Sequence, residues 1–259
     1  MTTSRKAVVG AFIGISSVCL VAACGSTSES ASGSATSSTA AASPTVAAST
    51  SGNPSSTSSA IASPASSDGA FGDPTAVAKY WRQQSLEDNC GLMSVADVVG
   101  EITGNQPTEQ QMITPAQNTP AGTNPGPIYA PSSDPSHSGA NGGVEMADLV
   151  VLLDHYGIKS LMAWTNGHPE QTGMPALQQD LTDNHKVIAW VNSAAISNTS
   201  DQRTKADHYL VDTGIETNKD IVHLNDPGAD HADEQVPTAT FVKAWKTGEE
   251  SIVVTGVTS

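Results

Sequence analysis

A cysteine, a glutamine, a histidine and an aspartate occur in an order that suggests nucleophilic catalysis. Cys90 stands where a polar loop runs into a segment of helical apolar spacing, so its thiol would face the unpaired N–H groups of a helix start. Those groups and the helix dipole favour the thiolate, which is the nucleophilic form of cysteine. Gln84 lies six positions earlier. It can turn its side-chain amide toward the same point.

A thiolate nucleophile also needs a group that carries its proton and a partner that orients that group. His208 opens an apolar strand, and the next predicted strand ends at Asn225-Asp226-Pro227-Gly228. Pairing of the two strands would bring His208 beside Asp226. The other downstream histidines lie in polar turns, near a helix end or, for His223, in a strand where either face is open. A purely structural histidine at 208 is the alternative interpretation.

The elements that must position these residues follow from periodicity and from turn residues. Apolar spacing from Leu92 to Ile102, followed by Gly104, predicts a helix from Cys90 to residue 103. Further helices are predicted at 73–80, 144–156, 175–182 and 237–245. Strands are predicted at 160–164, 186–191, 208–213, 220–224 and 251–257. Residues 105–142 are predicted to form one long loop, functional or mobile. Helices precede strands, which indicates an α+β fold.

Composition excludes several classes of partner and of site. The chain carries 26 acidic and 11 basic residues and a formal charge of −15, which argues against nucleic acid and anionic lipid as electrostatic partners. Of three cysteines, Cys19 and Cys24 lie in the N-terminal segment, so the domain cannot contain a disulfide framework. Cys90 is then either a small buried hydrophobe or a reactive group. The acidic run from Asp226 to Glu234 fits no calcium-loop spacing and is interpreted as a solvated loop.

The N-terminus has the pattern of an export signal. Arg5 and Lys6 precede an apolar segment that ends in Val21-Ala22-Ala23-Cys24. The last four residues resemble the lipobox of bacterial lipoproteins. That resemblance implies cleavage after residue 23, a diacylglycerol lipid on Cys24, and a protein held at the outer face of a bacterial cell membrane. A plain signal peptide or a membrane-spanning helix is the alternative, and the segment is short for a span.

Three parts of the chain differ in composition. Residues 1–23 are the predicted signal peptide, and residues 24–69 combine the lipidated cysteine with a Ser/Thr/Ala-rich tether. The tether has too few apolar residues to form a core, and as a flexible coil it would span about 35–40 Å. Residues 70–259 are the predicted folded domain.

A resemblance emerges when the motifs are taken together. Gln84-x5-Cys90-Gly91, then His208-Tyr209-Leu210-Val211, then Asn225-Asp226-Pro227-Gly228 resemble the C39-like cysteine peptidases of the papain-like fold. The resemblance covers residues 75–258 and implies N-terminal helices packed on an antiparallel sheet. It implies Cys90 as nucleophile, His208 as general base and acid, and Asp226 as the orienting residue. Gln84, rather than the adjacent Gln83, and the Cys90 backbone N–H would stabilise the oxyanion.

The predicted function is that of a secreted, lipid-anchored cysteine peptidase that hydrolyses a peptide or amide bond through a thioester acyl-enzyme. No cofactor and no metal are predicted, and the motifs G-x-S-x-G, H-E-x-x-H and G-x-x-x-x-G-K-[ST] are absent from the sequence. Family members fused to exporters cut after a double glycine, but this chain has no transporter helices, so that substrate is not carried over.

Two alternatives stay open. One is a non-catalytic binding lipoprotein with the same fold, and the other is an acyl or amide transferase. The sequence does not fix the oligomeric state.

Overall fold

The computed structural model describes residues 69–134, 143–200 and 203–256. The predicted signal peptide, Cys24 and nearly all of the predicted tether lie outside the described residues. The helices are α1 (Pro74–Val77), α2 (Cys90–Thr103), α3 (Glu109–Asn118), α4 (Met146–His155), α5 (Met174–Thr182), α6 (Ser193–Ile196) and α7 (Thr238–Lys246). The strands are β1 (Ala70–Gly72), β2 (Ser160–Ala163), β3 (Val187–Val191), β4 (His208–Glu216), β5 (Ile221–Asn225), β6 (Glu234–Pro237) and β7 (Ile252–Thr255).

These seven strands form one antiparallel sheet in the order β2-β7-β3-β4-β5-β6, with β1 paired to the far end of β4. The nine-residue strand β4 is central. Its first half pairs with β3, from Val191 opposite His208, and its other edge pairs with β5 up to Asn225. This register brings the start of β4 and the end of β5 to the same edge of the sheet. The site residues carried by these two strands lie there.

The core has two layers because the sheet is covered on both faces. On one face, α2, α3 and α4 pack against alternate strand residues such as Ile188, Val211 and Val253. On the other face, α5 and α7 pack against the intervening residues, such as Ala189 and Leu210. Period-two alternation along β3, β4 and β7 thus buries both faces. The sheet is therefore a rigid platform under α2.

Helix α2 forms as its sequence predicts. Its apolar residues from Leu92 to Val99 are buried, whereas Ile102 is exposed, and Gly104 ends the helix in the left-handed conformation with φ 73°. The side of α2 away from the sheet is covered as well, so that every residue from Cys90 to Gly100 is buried. Such a helix does not shift its N-terminus easily, and it fixes Cys90 in place.

The prediction of an unbroken loop over residues 105–142 is wrong at 109–118, where α3 lies. The segment is polar and contains Pro115, which argues against a helix in sequence. However, Thr108 and Gln111 form a capping box, and Met112, Ile113 and Ala116 are buried against the core. Residues 135–142 of the predicted loop lie outside the described residues.

Three short elements were not predicted, namely β1, α6 and β6. Each has only three or four residues, and the two strands are defined by their pairing with β4 and β5. Within the described ranges, no helix is both long and apolar enough to cross a membrane.

Candidate active site

Cys90 is the first residue of α2 and is buried, with 8% of its surface exposed. The neighbouring Gly91 has no side chain where α2 approaches the sheet. A Cβ there would lie 3.0 Å from Leu149 and 3.1 Å from Tyr209. The backbone of α2 at Gly91 therefore approaches these two side chains more closely than a residue with a Cβ would ordinarily allow. This close contact holds the entrance of α2 against both α4 and β4.

The loop before Cys90 is fixed by Glu109, the first residue of α3. The Ser85 backbone N–H and the Asn89 side-chain amide both donate to Glu109 Oε1, at 2.8 and 2.6 Å, and the Ser85 hydroxyl donates to Oε2 at 2.5 Å. Burial alone would raise the pKa of Glu109, but these donors outweigh it and lower that pKa. On the inner side, the buried Tyr129 hydroxyl donates to Asp88 Oδ1 at 2.8 Å. Two anchors thus set the path of the chain into Cys90.

The same arrangement leaves the start of α2 without a side-chain cap. Asn89 occupies the N-cap position, yet its side chain makes no cap hydrogen bond, because its amide is directed to Glu109. Backbone N–H groups in the first turn of a helix have no intrahelical partner. They can therefore donate to an anion that forms beside Cys90.

His208 and Asp226 form a buried pair at the common edge of β4 and β5. His208 Nε2 lies 2.6 Å from Asp226 Oδ1, and both residues are buried. The Gly228 backbone N–H donates to the same Oδ1 at 2.6 Å, and the Trp81 indole N–H donates to the Asp226 carbonyl at 2.5 Å. The aspartate is thus held from both sides, and it fixes the orientation of the imidazole ring.

The Cys90 side chain lies close enough to His208 to influence the electrostatics of its ring. Since Nε2 contacts Asp226, Nδ1 is the ring nitrogen left for Cys90. Burial by itself would lower the pKa of His208. The hydrogen bonds and negative charge of Asp226 and Cys90 outweigh burial and raise that pKa to about 10. The imidazole is therefore in its protonated form at neutral pH.

Gln84 is attached to the same edge. Its backbone N–H donates to the Pro227 carbonyl at 2.9 Å, which ties it to the turn that carries Asp226. Its side-chain nitrogen donates to the Leu86 carbonyl at 2.7 Å. This bond uses one of the two N–H groups of the amide, and the other is available for donation.

A second carboxyl beside Asp226 was missed by sequence reasoning. Glu234 lies half-buried on β6, and Asp226 is buried. The interpretation of the acidic run from Asp226 to Glu234 as a solvated loop is therefore wrong at these two residues. Burial, then the charge of Asp226 and a hydrogen bond to it, raise the pKa of Glu234. No local motif pointed to Glu234. By contrast, the Thr108-x-x-Gln111 signature could have indicated the helix that places Glu109.

The structure thus brings together three of the four predicted catalytic residues, Cys90, His208 and Asp226, and ties the fourth, Gln84, to the turn that follows Asp226. The predicted lipidation site, Cys24, lies outside the described residues. In the described part of the chain, no three His, Cys, Asp or Glu side chains are grouped so that they could hold a metal ion.

Comparison with known proteins identifies the family. Residues 111–252 match the model of the Peptidase_C39 like family. Over 195 residues the chain is 42% identical to uncharacterized proteins of Mycobacterium bovis and Mycobacterium tuberculosis, which covers 71% of this chain and 84% of each relative. The chain belongs to the Peptidase_C39-like family. The family match includes His208 and Asp226 and begins after Cys90.

The fold of this C39-like protein also has a solved counterpart. A Bacillus anthracis protein assigned as a C39-like peptidase superposes with a TM-score of 0.52 at 17% identity, covering 73% of this chain and 98% of that one. At this identity the similarity bears on the fold alone. The predicted family and the predicted α+β architecture, with helices packed on an antiparallel sheet, are both confirmed.

Proposed function

We propose that this C39-like protein is a lipid-anchored cysteine peptidase of a bacterial cell envelope, which hydrolyses a peptide or amide bond through a thioester acyl-enzyme. One observation carries the proposal. The Cys90 thiol, at an uncapped helix start, interacts electrostatically with His208, whose Nε2 lies 2.6 Å from Asp226 Oδ1. This is the nucleophile, acid–base group and orienting group that acyl transfer requires.

The protonation of His208 defines the order of proton transfers. Because its raised pKa keeps the imidazole protonated at neutral pH, His208 presents an imidazolium to Cys90, and the thiolate is the form of Cys90 that would act as nucleophile. The Cys90 sulfur attacks the substrate carbonyl carbon, and the carbonyl oxygen becomes an oxyanion. His208 Nδ1 then gives its proton to the leaving nitrogen as the C–N bond breaks, which leaves a thioester on Cys90.

The second half of the reaction restores the pair. Neutral His208 takes a proton from water, the hydroxide attacks the thioester carbon, and the carboxylic acid product leaves from the sulfur. In both halves the oxyanion would accept hydrogen bonds from the Cys90 backbone N–H and the Gln84 side-chain amide. Removal of one such donor typically costs about 10²–10³ in rate.

Anchoring at the outer face of the membrane rests on the sequence Val21-Ala22-Ala23-Cys24. A lipid on Cys24 would hold the enzyme at the membrane, and the Ser/Thr/Ala-rich tether would let the domain reach substrates at some distance from it. The substrate is therefore expected to be a peptide or protein outside the cytoplasm.

One experiment tests catalysis and anchoring together. The full chain, Cys90→Ala and Cys24→Ala are expressed in a bacterial host that processes lipoproteins, and peptide-library hydrolysis is measured in membrane and soluble fractions. We expect activity in the membrane fraction for the wild type and in neither fraction for Cys90→Ala, whose circular dichroism should be unchanged. Mass spectrometry should find lipid on Cys24 of the wild type and no lipid on Cys24→Ala.

The outcomes separate the alternatives. Hydrolysis that survives Cys90→Ala would rule out the cysteine mechanism. Peptide binding without turnover in the wild type would favour a non-catalytic binding lipoprotein. If added primary amines divert the acyl group into new amides at the expense of the free acid, the protein is a transferase. Wild-type protein that carries no lipid on Cys24 would refute the lipid anchor.

A further inference from the structure

A cavity of about 570 Å³ opens directly beside the candidate nucleophile, and Cys90 is one of its lining residues. This volume is in the range of small-ligand pockets. It is large enough for one long side chain of a peptide substrate next to the bond that is cut. We refer to it below as the Cys90 pocket.

One wall of the Cys90 pocket is aromatic and apolar. Trp164, Trp190 and Tyr209 line it together with Met162. The Trp190 and Tyr209 rings pack at a centroid distance of 4.2 Å, and both tryptophans keep part of their surface exposed toward the cavity. Large apolar rings left partly open in a pocket provide a surface for the methylene stem of a substrate side chain.

The rim of the same pocket is acidic. Glu87, Asp88, Glu145 and Asp207 line it, and no lysine, arginine or histidine is found among the described residues that do so. Asp207 is ion-paired with Arg203, and Asp88 accepts the Tyr129 hydroxyl. Two of these charges are thus already engaged in the fold.

Glu87 and Glu145 are the carboxylates best placed for a ligand. Both are exposed, and Glu145 accepts a hydrogen bond from the neutral Asn124 amide at 3.3 Å. Burial, then the charges of Cys90, Glu145 and Asp148, raise the pKa of Tyr209 in the pocket wall. Negative charge therefore reaches the wall as well as the rim.

We infer that the Cys90 pocket selects a lysine or arginine side chain adjacent to the scissile bond, with the methylene stem on Trp164 and Trp190 and the cationic head at Glu87 and Glu145. This inference rests on the proposed function. An aromatic wall favours this choice further, because a cation over the face of tryptophan is attracted by its ring quadrupole. The substrates of the enzyme would then be cationic peptides.

The first test does not depend on turnover. In the full chain with Cys19→Ser and Cys24→Ser, Cys90 is the sole thiol. Its modification rate is compared for two methanethiosulfonates of similar size, the cationic trimethylammonium-ethyl and the anionic sulfonato-ethyl reagent, at 0.15 M salt. We expect Glu87→Gln with Glu145→Gln to lower the cationic-to-anionic rate ratio by about tenfold. Glu170→Gln with Asp230→Asn changes the net charge equally at exposed positions outside the pocket and should leave the ratio unchanged.

The second test uses hydrolysis of four fluorogenic peptides that carry lysine, norleucine, phenylalanine or glutamate next to the cleaved bond. Norleucine keeps the stem of lysine without its charge. We expect kcat/KM for lysine to exceed that for norleucine by about tenfold, and this advantage to vanish in Glu87→Gln with Glu145→Gln.

The two tests fail differently. Turnover without a preference for lysine over norleucine would overturn the inference and leave the peptidase function intact. If no peptide is cleaved, the peptidase function fails, and the ratio of the two reagent rates alone decides whether the Cys90 pocket prefers a cation. A ratio that is unaffected by the two glutamate substitutions, or equally affected by the distant pair, would overturn the inference.

Discussion

At the scale of single residues, the decisive feature is the position of one proton on His208. The ring is buried, and burial alone would favour the neutral form, yet Asp226 on one side and Cys90 on the other reverse that preference. Because the folded-state pKa is raised, the ion pair stabilises the fold fully below about pH 6.5. This contribution is lost as pH rises through about 10.

Asp226→Asn should show that the aspartate charge maintains this protonation. Asparagine keeps the shape and a hydrogen-bonding oxygen but removes the negative charge, so we expect the pKa of His208 to fall by about 1–3 pH units. NMR titration of the His208 ring measures this directly. His231→Gln, at an exposed site, assigns a competing histidine signal and should leave the His208 titration unchanged. An unaltered His208 titration in Asp226→Asn would mean that Asp226 has only a structural role.

At the scale of secondary-structure elements, α3 is what makes the loop before Cys90 rigid. Its first residue, Glu109, accepts three hydrogen bonds from Ser85 and Asn89, and the capping box at Thr108 fixes the helix start that presents Glu109. Because Asn89 is thereby kept from capping α2, the same contacts leave the α2 N–H groups open to substrate. The contribution of α3 to the site is therefore made through positioning.

Glu109→Gln should weaken this attachment without unfolding the domain. Glutamine offers one neutral acceptor to three donors, and for half-exposed bonds we expect a loss of about 0.5–1.5 kcal/mol in the free energy of unfolding. Since the pKa of Glu109 is lowered, its stabilisation is present at neutral pH and is lost as pH falls through the lowered folded-state pKa.

Urea unfolding and the rate of Cys90 alkylation measure the two consequences of this substitution. Gln110→Ala, on the exposed face of the same helix, is the matched control and should change neither. If Glu109→Gln lowers stability but the alkylation rate and its pH profile stay as in wild type, α3 does not position Cys90.

At the scale of the whole molecule, several carboxyl groups are buried in an already acidic protein. Burial raises the pKa of Asp97, Glu101 and Asp212. Glu101 is ion-paired with Lys186 at 3.1 Å, and Asp97 accepts from Asn225 at 3.0 Å, whereas neither oxygen of Asp212 has a hydrogen-bond partner in the described structure. A carboxyl whose pKa is raised in the folded state destabilises the fold increasingly as pH rises from its unfolded-state pKa, about 4, up to the folded-state pKa.

We therefore expect the free energy of unfolding to be highest near pH 5 and to decrease toward pH 9, since His208 acts in the same direction. Asp212→Asn should reduce this slope and stabilise the protein at pH 8 by about 1–3 kcal/mol, because asparagine cannot ionise and so removes the cost of burying an unpaired charge. Urea unfolding across this pH range measures both effects. Asp230→Asn, at an exposed position, should leave the slope unchanged. If the free energy of unfolding falls with pH as steeply in Asp212→Asn as in wild type, the pH dependence arises from other groups.

The sequence alone determined the features that local signals encode. Helical spacing and Gly104 define α2, apolar alternation defines β3 and β4, and the Asp226-Pro227-Gly228 turn marks the end of β5. The order of helices and strands indicated the α+β fold, and the motif spacing indicated the family. The helix, strand and turn signals each arise from residues close together in the sequence, and the family signal arises from the order and spacing of short motifs.

Tertiary structure decided what depends on residues far apart in the chain. Glu109 reaches Ser85 across 24 positions, and the Trp81 indole meets the Asp226 carbonyl across 145. The walls of the Cys90 pocket come from α4, β2, β3 and β4 and from the loops around them. No local pattern encodes these contacts, because they depend on how the helices and the sheet pack. They exist only once α2 is packed on the sheet.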